Sequence, residues 1–283
     1  MISGKTKTYA ILGDPIEQAL SPIVHNAAFR ATGVDGVMLG LRVSQETLPA
    51  AVQGARAMGF SGLVVTMPLK SAILPLLDSC EDKITCLGAV NLVTCENGHL
   101  RGYNTDGDGF VDNMRANGVD PSRKEIFLFG AGGAARGLCY ALLAAGISRL
   151  TVCNIDAAMA QEMLASLSTH FSTPMAFLPL DSPLVADRCK QAQVIINATS
   201  MGMNDTPSPH VDLIPWAELA PTTVIADVIH KPTETALLHK AHSLGLKTLD
   251  GEGMMLCQAV LAFRLLTGQE APKAAMLEAI QNR

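Results

Sequence analysis

Short apolar runs alternate along the chain with longer stretches whose apolar positions recur every three to four residues. "TYAILG" (8–13) reads as a buried strand ended by Gly13 and Pro15, and a helical pattern follows from about Ile23 to Ala31. "VMLGLRV" and "GLVVT" are the next strands, separated by a helix near residues 46–58. Two alternating runs in "AVNLVTCENGHLRGYN" (89–104) flank Asn97-Gly98, a pair suited to the positive φ values of a tight hairpin, so an antiparallel excursion is expected at the edge of the first sheet. A helix from about Gly107 to Asn117 and a polar stretch, "GVDPSRKE", come next. Strands at 126–129, 149–153, 175–178, 193–197 and 223–227 then alternate with helices, and the last helices begin near Met254. This alternation predicts an α/β protein with largely parallel sheets.

At 283 residues the chain exceeds a comfortable single core, so two domains are expected. It is 48% hydrophobic and 17% charged, with a net charge of −5, no long like-charge run and few aromatic residues. A nucleic-acid partner would need clustered Lys and Arg, and none is expected. The apolar stretch before Asp14 is too short for a signal-peptide core, and glycines and Arg136 break the most hydrophobic window, 126–147; neither secretion nor a membrane span is expected. Seven cysteines without a C-x-x-C pair read as free thiols of a cytoplasmic protein. His239 and His242 in "HKAH" stand one helical turn apart with no third ligand nearby, which favours a solvated helix face over zinc.

The strongest local signal is "IFLFGAGGAARGLCYALLAAG" (126–146). Strand, glycine turn and helix follow in order, with Gly130, Gly132 and Ala135 at G-x-G-x-x-G/A spacing. Helix N-terminal amides from Ala134 onward can face a pyrophosphate. The simpler reading is a glycine turn that lets a helix pack on a strand. Asp156 lies 26 residues after Gly130, just past the strand "RLTVCN", where an acid accepts from ribose hydroxyls and repels a 2′-phosphate. No Arg follows Asn154, so NAD is expected over NADP; Asp156 also suits the N-cap of the helix beginning near Ala157.

In the first half, "GLVVTMPLK" (62–70) runs from a buried strand into Thr66, Pro68 and Lys70. The pattern places Lys70 in the first turn of a helix, an unusual site for a merely decorative ammonium. "GAVN" (88–91) and "YNTDG" (103–107) set amides and a carboxylate at strand ends.

With "SP" (21–22), "TMPLK" (66–70), "GAVN" (88–91), "NTDG" (104–107), "GAGGAARG" (130–137), "NATSMGM" (197–203) and "GMMLCQA" (253–259) in this order, the chain resembles the shikimate/quinate dehydrogenase family over almost its whole length. The resemblance implies a two-lobed fold. An N-terminal α/β substrate domain is built from residues 1–105 with 251–283, and a Rossmann-like doubly wound nucleotide domain from 106–250. The chain leaves one domain and returns to it.

The implied reaction is reversible oxidation of the ring 3-hydroxyl of shikimate, quinate or a related hydroxylated cyclic carboxylic acid, with NAD as hydride acceptor. Lys70 and Asp106 match the family's proton-transfer pair, and no metal is needed. Ser21, Thr66, Asn91, Gln258 and His230 are the implied substrate-binding residues. Gly130, Gly132, Gly133, Ala134, Asn154, Asp156, Thr199, Met201, Val228 and Gly251 are the implied cofactor-binding residues.

Four positions depart from the family pattern. Ala19 replaces the first of two hydroxyl residues that grip the substrate carboxylate, Val64 an Asn, Leu92 a Thr, and His230 a Tyr. A divergent, NAD-preferring member is the expectation. A non-catalytic NAD-binding sensor on the same fold is the alternative, although it has no need of Lys70 with Asp106. The sequence is compatible with a monomer or a homodimer.

Overall fold

The computed structural model describes residues 2–282. Tertiary contacts divide the chain into two compact units. One holds residues up to Thr105 together with those from Gln258 onward, and the other runs Asp106–Cys257.

The first unit contains β1 (Lys7–Gly13), α1 (Ser21–Thr32), β2 (Gly36–Arg42), α2 (Leu48–Ala57), β3 (Gly62–Val65), β4 (Ser79–Cys80), α3 (Ile84–Leu87), β5 (Leu92–Glu96) and β6 (His99–Tyr103). Its sheet runs β2-β1-β3-β5-β6-β4. β1 pairs in parallel with β2 and β3, whereas β3–β5 and β5–β6 are antiparallel. The β5–β6 turn is the expected hairpin, with φ of 51° at Asn97 and 78° at Gly98. It is not the sheet's edge, however: β4 pairs in parallel with β6 outside it. Two residues carry no readable periodicity, which is why the pattern missed this strand.

Three aromatic rings pack together in the core of this unit. Tyr9 stacks on Phe29 at 5.1 Å, and Phe29 meets Phe263 at 5.7 Å; all three are buried. Burial of this kind stabilises by about 1.5–3 kcal/mol per large side chain. At the open edge, Asn26 Nδ2 donates to the Met38 carbonyl and the Met38 N–H donates to Asn26 Oδ1, both at 2.9 Å. This side chain occupies the place of a neighbouring strand and blunts the edge of β2.

The second unit contains α4 (Asp106–Ala116), β7 (Glu125–Phe129), α5 (Gly133–Ala144), β8 (Arg149–Asn154), α6 (Ala157–Ser168), β9 (Met175–Pro179), α7 (Val185–Gln191), β10 (Val194–Asn197), β11 (Val224–Asp227), α8 (Ala236–Ser243) and β12 (Lys247–Leu249). Its sheet runs β12-β11-β10-β7-β8-β9, and every pair is parallel. Numbered within the unit this is the 6-5-4-1-2-3 order of a doubly wound nucleotide-binding fold, with the switch point between β7 and β10. Phe127, Phe129, Ile195 and Ile225 are fully buried at its centre. β12, three residues long, was not expected from the pattern. α9 (Gly251–Thr267) starts in this unit and continues into the first, followed by α10 (Lys273–Gln281).

Candidate active site

Lys70 is not in a helix, contrary to the sequence reading. Pro75 follows five residues later, removing a backbone donor, and residues 67–73 form tight turns before a short 3₁₀ segment at Leu74–Leu76. The loop is nevertheless fixed at several points. Thr66 N–H donates to the Leu12 carbonyl (2.9 Å), Asp14 N–H to that of Met67 (3.1 Å), and Val90 N–H to that of Lys70 (2.8 Å). Leu69 and Ile73, both fully buried, hold it down like pegs.

Asn91 follows Val90 and is 4% exposed. Its Nδ2 donates to Thr105 Oγ1 (3.0 Å) and to Gln258 Oε1 (3.0 Å), and its Oδ1 accepts from Thr105 N–H (2.9 Å). Val65 N–H donates to the Asn91 carbonyl at 2.8 Å. Within the first unit, then, the residues around Thr66, Lys70, Asn91 and Gln258 are tied into one frame. Thr105 belongs to it although the sequence reading passed over it; its place in "NTDG" was the available signal.

Ser21 opens α1, half-buried and joined to that frame by no hydrogen bond among the described residues. Its carbonyl accepts from His25 Nδ1 (3.0 Å), while His25 Nε2 is buried with no partner. Burial pushes the His25 pKa down to about 4.

In the second unit, Asp106 is the first residue of α4 and is 5% exposed. A carboxylate is favoured at this end of a helix. α4 crosses α5 at Gly107, where a Cβ would collide with the Gly137 carbonyl, so a glycine is required for the approach. Asp106 is thereby placed beside the helix that follows the glycine loop.

In that loop Gly130 has φ of 113°, and a Cβ there would lie 2.8 Å from the Ala198 carbonyl oxygen. Gly132 and Gly133 face open space, with nothing within 4 Å of a Cβ at either position. Gly132 caps α5, and Ala134 lies in its first turn. Exposed helix N-terminal amides beside such an opening suit a pyrophosphate.

Past β8, Asn154 Nδ2 donates to the Asp156 carbonyl (2.9 Å) and so shapes the turn. Asp156 does N-cap α6, its Oδ1 accepting from Met159 N–H at 3.0 Å. Ile155 beside it is 85% exposed. Gly251 is buried at the start of α9, where a Cβ would collide with the Val228 and Ile229 carbonyls; close backbone packing explains this glycine. His230 is exposed and belongs to the second unit, whereas Ser21, Thr66, Asn91 and Gln258 belong to the first.

The sequence reading also missed a buried polar network at the ends of β10 and β11. Asn197, Asp227 and Thr235 are 0%, 1% and 2% exposed. Asp227 accepts from Asn197 Nδ2 (3.0 Å), Ile229 N–H (3.0 Å) and Thr235 Oγ1 (2.7 Å), and burial pushes its pKa up to about 6. Thr199 and Met201 hang from the same network.

All seven cysteines are free, and burial pushes the thiols of Cys139, Cys153 and Cys189 up to about 12. Among the described residues no group of three or more His, Cys, Asp or Glu is arranged to hold a metal ion, and no helix is long and apolar enough to cross a membrane. His239 and His242 both face Glu234 Oε1, at 3.6 and 3.1 Å.

A parallel doubly wound sheet with a glycine loop, joined to a second α/β unit carrying a lysine–amide frame, defines a nucleotide-binding α/β protein of the dehydrogenase type. The family model for the shikimate dehydrogenase substrate binding domain matches residues 11–93, and that for the shikimate 5′-dehydrogenase C-terminal domain matches 251–281. The chain is 35% identical to a shikimate dehydrogenase (NADP(+)) of Alkaliphilus metalliredigens over 96% of its own length and 95% of the relative's. It is similar to shikimate 5-dehydrogenase from Listeria monocytogenes, solved with shikimate and NAD (TM-score 0.91, 32% identity, 99% and 98% of the two chains). A ligand-free 5-ketofructose reductase of Gluconobacter sp. strain CHM43 is also similar (TM-score 0.89, 30% identity, 99% of each chain). The protein belongs to the shikimate dehydrogenase family, with an N-terminal substrate-binding domain and a Rossmann-like NAD(P)-binding domain.

Proposed function

We propose that the protein is an NAD-preferring oxidoreductase that reversibly oxidises the ring 3-hydroxyl of shikimate, quinate or a near relative. The observation that carries this reading is the fixed frame around Lys70, with its carbonyl held by Val90 and Asn91 locked to Gln258 and Thr105. Bound NAD supplies the hydride acceptor. The Lys70 amine takes the hydroxyl proton as the carbon–hydrogen bond gives up its electron pair and the carbonyl forms; in reverse it returns that proton. Asp106 orients amine and hydroxyl. Thr66, Asn91 and Gln258 bind ring hydroxyls, with Ser21 and His230 contributing to the grip on the acid.

Gly130, Gly132, Gly133 and Ala134 cradle the pyrophosphate, and the open space at Gly132 and Gly133 fits that group. Asp156 uses Oδ1 for its cap, and its second oxygen is available to a ribose hydroxyl. A 2′-phosphate meets this carboxylate with no arginine at position 155, which favours NAD. Thr199, Met201, Val228 and Gly251 line the nicotinamide side.

One observation favours a second reading for the substrate. Val64 and Leu92 are cross-strand partners, and with Ala19 they remove three polar groups that the family pattern places near the substrate. Losing one hydrogen bond to a carboxylate costs on the order of 1.5–3 kcal/mol. Together with the likeness to a 5-ketofructose reductase, this favours a hydroxylated ligand without a carboxylate. A panel of shikimate, quinate and 5-ketofructose, each with both nucleotides, separates the readings. Turnover of shikimate or quinate with NAD supports the first, and turnover of 5-ketofructose alone replaces it with the second.

A further inference from the structure

We propose that Asp227, acting through Asn197, is a positioning residue for the nicotinamide half of the dinucleotide. This rests on the reading above that the second unit binds NAD. Asp156 follows β8 on one side of β7, and β10 and β11 lie on the other side. A dinucleotide with its adenosine ribose at Asp156 and its pyrophosphate at the glycine loop therefore extends its other half over the ends of β10 and β11.

That half meets the segments after Asn197 and after Asp227, and both are held by the same pair of side chains. Asn197 Oδ1 accepts from Thr199 N–H (3.1 Å) and Thr199 Oγ1 (2.7 Å), and its Nδ2 donates to the Met201 carbonyl (3.2 Å) and to Asp227. Met201 N–H donates to Thr199 Oγ1 at 3.0 Å. Val228 N–H donates to the Asn197 carbonyl (3.1 Å), and Ile229 N–H to Asp227. The other Asp227 oxygen accepts from Thr235, the N-cap of α8.

Apart from the Thr235 bond, these bonds run toward the strand-end segments, and removing the Asp227 carboxylate strands three buried donors at once. Burial raises its pKa in spite of those donors. Among the described residues, the Asp227 and Asn197 side chains make no hydrogen bond to Gly130, Gly132, Gly133, Ala134 or Asp156.

The test compares the affinity of the full chain for NADH with that for ADP-ribose, which lacks the nicotinamide. Asp227→Ala is expected to weaken NADH binding by about tenfold or more and ADP-ribose binding by less than about twofold. Asp227→Asn keeps an acceptor for Asn197 and Ile229 and is expected to restore most of the NADH affinity. Asn197→Ala repeats the comparison and decides the matter alone if Asp227→Ala does not fold. Equal loss for the two ligands, or no loss for either, overturns the positioning role. A wild-type chain that binds neither ligand overturns instead the cofactor reading on which the role rests.

Discussion

His25→Phe isolates the cost of a neutral histidine sealed into the first unit. The ring is 1% exposed, its Nδ1 bonded to the Ser21 carbonyl and its Nε2 without a partner. Protonation would place a charge there, so burial lowers the pKa from 6.5 to about 4. In the unfolded chain the imidazole returns to its ordinary value. Between pH 6.5 and about 4 the unfolded state therefore binds the extra proton and the folded state does not. Stability from this residue is complete above pH 6.5 and is lost as pH falls through that window. The gap corresponds to about 3 kcal/mol. The phenylalanine ring fills the space beside Phe29 and cannot titrate, at the cost of the Ser21 bond, about 1 kcal/mol. Urea unfolding of both chains from pH 7.5 to 4 gives the difference in stability, from which groups common to both cancel. That difference should move by about 3 kcal/mol in favour of the variant as pH falls. A difference constant to within about 0.5 kcal/mol across the window would refute the reasoning.

Two further outcomes concern the nucleotide. Asp156→Ser keeps a capping oxygen but removes the charge, so kcat/KM with NADP should rise relative to NAD by about tenfold or more while the melting temperature stays put; unchanged nucleotide preference would leave Asp156 as a helix cap only. Gly130→Ala forces a Cβ toward the Ala198 carbonyl at φ of 113°, which should cost about 1–3 kcal/mol of stability and weaken NADH binding; a variant as stable as the wild type would contradict the strained turn, as read from calorimetric melting.

The glycine loop, the strands around it and Asp156 were legible because their signals are local: a turn, a period and a cap within thirty or so residues. The local structure at Lys70 was misread as a helix. Its anchoring depends on Leu12, Asp14 and Val90, and Pro75 ends the helical pattern that the apolar spacing suggested. The two-residue β4 and three-residue β12 are too short to show a period, and pairing alone makes them strands. Asn91 and Gln258 meet across 167 residues, and Asn197 meets Asp227 across 30. Such contacts are products of sheet order, so the Asp227 network was invisible even though "NATSMGM" stood out. The N-cap role of Asp156 was readable because it depends only on the residues that follow it.

The central claim is that Lys70 moves the hydroxyl proton of a shikimate- or quinate-type alcohol. The most direct measurement is NADH formation from shikimate and from quinate by the wild type and by Lys70→Ala, with NADH affinity measured on the same samples. The expected result is turnover of at least one acid by the wild type, a fall of about a hundredfold or more in kcat for the variant, and unchanged NADH binding. A variant that keeps wild-type kcat while binding NADH normally would contradict it.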